Sequence, residues 1–145
     1  EYKTHMMQNY GAGVQACYRG PRLYDTPETQ AAVTEVIQWY KKYRDILNSD
    51  MIHLRRPDAR DWDGFIHVNP HKKEKGLAMF FNPTHQEITR TIHIPLYYTG
   101  LTQTARIREK EQKPVTYKLN RDYTVELTVK IPANGYTWYV VEAAD

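Results

Sequence analysis

Thr124-Val125-Glu126-Leu127-Thr128-Val129-Lys130-Ile131 alternates without a break between apolar and polar residues. Side chains on a strand point to opposite faces in turn, so Val125, Leu127, Val129 and Ile131 share one face. The octet predicts a strand with one face in a core and the other in water. That reading sets the class of the whole C-terminal two thirds.

Outward from it, the pattern repeats. Ala133-Asn134-Gly135 reads as a turn, because Asn and Gly tolerate positive φ. Tyr136–Glu142 is the closing strand, with Tyr136, Trp138 and Val140 on a face expected to point into the sandwich core. Upstream, Met51–Arg55, Phe65–Asn69, Leu77–Phe81, Ile88–Ile94, Ala105–Glu109 and Val115–Leu119 are further strand candidates, separated by Pro, Gly and Asn. Short strands at close spacing predict antiparallel pairing in a sandwich or barrel.

Residues 25–48 have a different period. Asp25 or Thr26 can cap a helix, Pro27 suits its first position, and Glu28 suits the positive helix end. Val33, Val36, Ile37, Tyr40, Tyr43, Arg44 and Leu47 then follow i, i+3, i+4, i+7 spacing and form one stripe. Asn48, Ser49 and Asp50 stop it. Residues 1–24 are rich in Gly, Tyr and Arg and show no regular period. The predicted fold is therefore mainly β: an antiparallel Greek-key β-sandwich preceded by one long amphipathic α-helix. Residues 1–48 and 49–145 are expected to differ in origin.

The totals exclude several functions. A net charge of +3, from 20 basic and 17 acidic residues, is too small and dispersed for a nucleic-acid surface. Lys72-Lys73-Glu74-Lys75 reads as a solvated turn. Cys17 is the lone cysteine, which rules out an internal disulfide and a Cys-rich metal site. No stretch approaches the roughly 18 apolar residues of a membrane span. The chain starts at Glu1 rather than Met, as an excised piece would, so the absence of a visible signal peptide carries little weight.

Candidate chemistry is sparse. Asp58, Asp61 and Asp63 lie in Arg55-Arg56-Pro57-Asp58-Ala59-Arg60-Asp61-Trp62-Asp63-Gly64, where alternating signs predict local ion pairs and Asp63-Gly64 predicts a hairpin turn. The six histidines give no ligand set, since Asn69-Pro70 keeps His67 and His71 off a common helix. No metal or other cofactor is expected. Tyr10-Gly-Ala-Gly-Val-Gln-Ala-Cys-Tyr18-Arg19-Gly20-Pro21-Arg22-Leu23-Tyr24 is aromatic, basic and Gly-rich, and precedes a capped helix. Barrel enzymes keep their sites on such strand-to-helix loops. Tyr18, Arg19 and Arg22 suit sugars by stacking and hydrogen bonding. The segment reads either as substrate-lining or as scaffold.

Trp39-Tyr40-Lys41-Lys42-Tyr43-Arg44-Asp45-Ile46-Leu47 through Ile52-His53-Leu54-Arg55-Arg56-Pro57-Asp58 resembles the exit from the catalytic barrel of α-galactosidase-type glycoside hydrolases. Gly76-Leu77-Ala78-Met79-Phe80-Phe81-Asn82-Pro83-Thr84 resembles the central strand of their C-terminal β-sandwich, with its Asn-Pro turn. Pro132-Ala133-Asn134-Gly135-Tyr136-Thr137-Trp138-Tyr139-Val140-Val141-Glu142 is similar to the closing strand. The resemblance runs from about Tyr10 onward. It implies that residues 1–48 are the last strand–loop–helix of a barrel and 49–145 the sandwich. It also implies a secreted or periplasmic parent whose two catalytic Asp lie on earlier strands.

The expected role is thus a non-catalytic accessory domain. Its partner is its own catalytic barrel, and carbohydrate is reached through the parent. The alternative is a stand-alone carbohydrate-binding module with an aromatic platform on one sheet face. Without its barrel, the helix stripe is expected to be uncovered and to drive self-association.

Overall fold

The computed structural model describes residues 2–13 and 27–144. Helix α1 spans Tyr2–Gly11 and α2 spans Pro27–Leu47. Eight strands follow: β1 Asp50–Arg55, β2 Asp63–Val68, β3 Gly76–Phe81, β4 Ile88–Pro95, β5 Thr104–Glu109, β6 Val115–Lys118, β7 Thr124–Ile131 and β8 Tyr136–Glu142. A 3₁₀ turn, Tyr97–Thr99, links β4 to β5. The mainly-β class, the antiparallel sandwich and the single long helix in front of it all match the sequence reading.

All pairs are antiparallel. A six-stranded sheet has the order β1-β2-β3-β8-β5-β6, and β4-β7 form a second sheet. The chain leaves the large sheet after β3 and after β6, and returns at β5 and β8. The last strand therefore inserts between β3 and β5, so the large sheet closes only when the C-terminal residues arrive. Asn134 takes φ 51° in the turn before β8. That turn joins the two sheets and is not a hairpin within one.

Two cores lie on opposite faces of the large sheet. Ile66, Ala78, Phe80, Ile107, Tyr139 and Val141 meet Ile92, Ile94, Val125, Leu127, Val129 and Ile131 of the small sheet. Phe65, Leu77, Met79, Phe81, Trp138 and Val140 point the other way, onto Met6 and Met7 of α1 and Val33, Val36, Tyr43, Ile46 and Leu47 of α2. The result is three layers: helices, large sheet, small sheet.

Several expectations change. α1 carries no apolar stripe, because its two fully buried residues, Met6 and Met7, are neighbours in sequence. Their burial depends on the sheet beneath them, which no local period reveals. Asp63-Gly64 is not a hairpin turn but the start of β2, paired with Phe81 and Phe80. Gly64 is needed there because a Cβ would lie 2.5 Å from the Met79 carbonyl oxygen. The chain reverses earlier, at Ala59 with φ 61°. Trp138 is buried at 6% exposure but faces the helices and not the space between the sheets.

The helix stripe is also not left uncovered. Val33, Val36, Tyr43 and Leu47 pack on the chain's own sheet, joined by Ile46, while Arg44 is exposed. The apolar patch invoked for self-association is therefore already occupied. Polar ties reinforce the docking: the Tyr43 hydroxyl donates to Glu111 at 2.5 Å and accepts from Arg108 at 2.9 Å, and Lys42 pairs with Glu111 at 2.8 Å.

Trp138 packs edge-on against Tyr43 (5.2 Å) and Trp39 (5.6 Å). Trp138→Ala is expected to lower stability by roughly 3–5 kcal/mol in urea denaturation, the usual range for a buried aromatic truncation. A loss below about 1 kcal/mol would show that the helical layer is not packed on β8.

Candidate functional site

Tyr18, Arg19 and Arg22 lie outside the described residues. The structure instead joins Asp63, one of the three acidic residues singled out in the sequence, to Gln8 and His53, which the sequence did not mark. α1 lies across one end of β1–β3, held by Met6 and Met7 below, by Thr4 donating to the Asn134 carbonyl at 3.3 Å, and by the Lys3–Glu35 pair. His67, 1% exposed, ties the other end of the helix, with Nε2 against the Gly11 carbonyl and Nδ1 3.2 Å from the Ser49 carbonyl. Burial lowers the His67 pKa, against the opposing effect of the Gly11 and Ser49 carbonyls.

Between α1 and the strand ends run two adjoining hollows, of about 370 and 250 Å³, which share Gln8, Asp63 and Phe81. His53, Arg55, Pro57 and Phe65 complete the first, and His5, Asn82, Pro83 and Asn134 help to form the second. Asn82 anchors this floor. Its amide nitrogen reaches the carbonyls of Gln86, Pro132 and Ile131, and its oxygen accepts from the Thr84 amide and hydroxyl. A buried side chain satisfied this fully rigidifies the β3 exit.

Electrostatics single out Asp63. Burial raises its carboxyl to about 6, against the opposing pull of Arg55 and with a further push from Asp58. Among the described residues no donor hydrogen-bonds it. Asp58 behaves in the opposite way: the Arg60 amide and the Arg55 guanidinium hold it at about 2. Asp61 is likewise lowered, by the Trp62 amide and by Arg90, 3.1 Å away on β4. The ion pairs expected in this loop are present. Divergent pKa values are the signature of an acid–base pair, but Asp58 is committed to its own turn. Asp63 thus stands as a single protonatable carboxyl beside Gln8, His53 and Arg55, suited to hydrogen-bonding a polar ligand. Among the described residues no cluster of His, Cys, Asp and Glu is arranged to hold a metal.

No protein-family model matches the chain, and no curated protein matches it. Solved structures do. A Bacillus halodurans C-125 protein assigned as an α-N-acetylgalactosaminidase superposes at TM-score 0.65 and 10% identity, covering 98% of this chain and 30% of that one. α-Galactosidase I from Mortierella vinacea gives 0.63 and 14%, covering 99% and 36%. AmyP, solved in complex with maltose, gives 0.51 and 4%, covering 81% and 22%. The chain spans about a third of the length of the first two and has the fold of that part of them.

Asp63 makes a testable contribution to stability. A carboxyl whose native pKa exceeds its unfolded one binds more protons folded than unfolded. Its effect on stability therefore becomes unfavourable as pH rises from 3.8 to about 6. Asp63→Asn is expected to flatten that decline in urea denaturation and to add about 1 kcal/mol at neutral pH, well below the full linkage value because the group is half exposed. An unchanged pH slope would place the carboxyl in water.

Proposed function

We infer that the chain is the C-terminal, non-catalytic portion of a larger glycoside hydrolase of the α-galactosidase type. In this reading α2 is the last helix of the catalytic barrel and the sandwich braces it. One observation carries the reading: nearly the whole chain, both helices included, superposes on about a third of two such proteins. A helical layer that shares a core with the large sheet is what a brace between barrel and sandwich requires. Tyr18, Arg19 and Arg22 fall between α1 and α2, and in this reading they line the parent's substrate pocket.

The carboxyl inventory agrees with a supporting role. Glycoside hydrolysis by the common routes needs two carboxyls flanking the bond, and among the described residues Asp63 has no second carboxyl lining this cleft. The outer face of the small sheet offers Thr89, Thr91, His93, Glu126, Thr128 and Lys130, so it does not form the aromatic sheet-face platform of a stand-alone module.

The purified chain is expected to leave aryl α-galactosides and aryl α-N-acetylgalactosaminides unhydrolysed, by chromogenic assay at saturating substrate. Turnover that persists through purification and disappears in Asp63→Asn would overturn the non-catalytic reading.

A further inference from the structure

Tyr97 and Tyr98 are 61% and 64% exposed, the most exposed large hydrophobic side chains among the described residues. They are nevertheless fixed in place. Tyr97 packs edge-on against Tyr98 at 5.1 Å and against Tyr123 at 5.5 Å. The 3₁₀ turn that carries them is pinned by buried Leu96 and by Thr99, whose hydroxyl donates to the Leu96 carbonyl at 2.6 Å. Gly100, at φ 80°, closes the turn against Pro70. Rings carried on a pinned turn have less conformational freedom to lose when something stacks on them.

Tyr123 adds a second observation. It adopts φ 64°, a region that bulky residues rarely enter. Backbone hydrogen bonds hold it there: its amide donates to the Asn120 carbonyl at 2.9 Å, and its carbonyl accepts from the Leu96 amide at 2.8 Å. Strain of this kind gathers at ligand-holding positions. The ring stands between the two exposed tyrosines and a groove of about 410 Å³ whose polar lining includes Gln103, Asn120 and Arg121.

We propose that Tyr97, Tyr98 and Tyr123, together with the Gln103–Asn120–Arg121 groove, bind a short neutral glycan. Sugars present C–H faces for the rings and hydroxyls for amide and guanidinium groups, and this surface has both side by side. Size separates this occupant from a protein. A stable protein interface needs about 800 Å² per partner, whereas two largely exposed tyrosines supply well under half of that. The groove falls in the roughly 300–1,000 Å³ range of small-ligand sites. A single-stranded nucleic acid would need a continuous basic track, and among the described residues this groove offers only Lys118 and Arg121. The proposal rests on the surface alone, so it stands or falls separately from the absence of catalysis.

Affinity electrophoresis of the chain in gels containing galactomannan, xyloglucan or soluble starch tests it. Retardation is expected in at least one glycan, weakened about tenfold by Tyr97→Ala or Tyr98→Ala, the scale of one lost aromatic contact. Both variants should keep the parent melting temperature, and Met51→Ala, an exposed apolar side chain on β1, should bind as the parent does. The proposal is overturned by equal mobility in all three glycans, by retardation that survives the double Tyr variant, or by preferential retention of a thymidine oligonucleotide.

Discussion

β3 is buried along its whole length, Gly76 through Phe81, and the rest of the structure depends on covering both of its faces. Leu77, Met79 and Phe81 require the helices; Ala78 and Phe80 require the small sheet. β8, its neighbour, carries the same double demand through Trp138 and Val140 on one side and Tyr139 and Val141 on the other. A sheet of this kind cannot stand as the outer wall of a two-layer sandwich. Five buried α2 side chains at roughly 1.5–3 kcal/mol each amount to about 10 kcal/mol as an upper bound. That is comparable to the whole stability of a typical domain, about 5–15 kcal/mol. The helical layer is therefore part of the fold.

The same constraint explains what the sequence disclosed. β7 and β4 each have one wet face, so Val125, Leu127, Val129 and Ile131 alternate with polar residues and their direction could be read. β3 and β8 have two dry faces. Their apolar runs mark strands but carry no sign of which side is which, so Trp138 could be placed inside but not against the helices. α2 announced itself by its stripe and its stop signal. α1 did not, because Met6 and Met7 are buried by tertiary position rather than by period. Asp63-Gly64 misled for a related reason: local turn chemistry was outweighed by the close passage of Gly64 over the β3 backbone.

The cleft was less legible than the fold. Asp63 meets Gln8, 55 positions earlier in the sequence, only when α1 lies over β2, and His53 only across the neighbouring strand. Asn82, the buried amide that holds this end together, and His67, which ties the far end of α1, read locally as a turn residue and a stray histidine. Tyr97, Tyr98 and Tyr123 belong to a tyrosine-rich composition, and nothing in their spacing says that they converge. Long-range pairing across β4 and β7 brings them to one end of the sandwich.

The helices and the six-stranded sheet form one folding unit. The most direct test is a chain shortened to residues 49–145, followed by near-ultraviolet circular dichroism, thermal melting and binding of a hydrophobic dye. Without α1 and α2 the Phe65, Leu77, Met79, Trp138 and Val140 face is bare. The expected result is no cooperative melt, a lost aromatic signal and strong dye binding. A sharp melt close to that of the full chain, with the aromatic signal kept and no dye bound, would contradict it and make the sandwich self-sufficient.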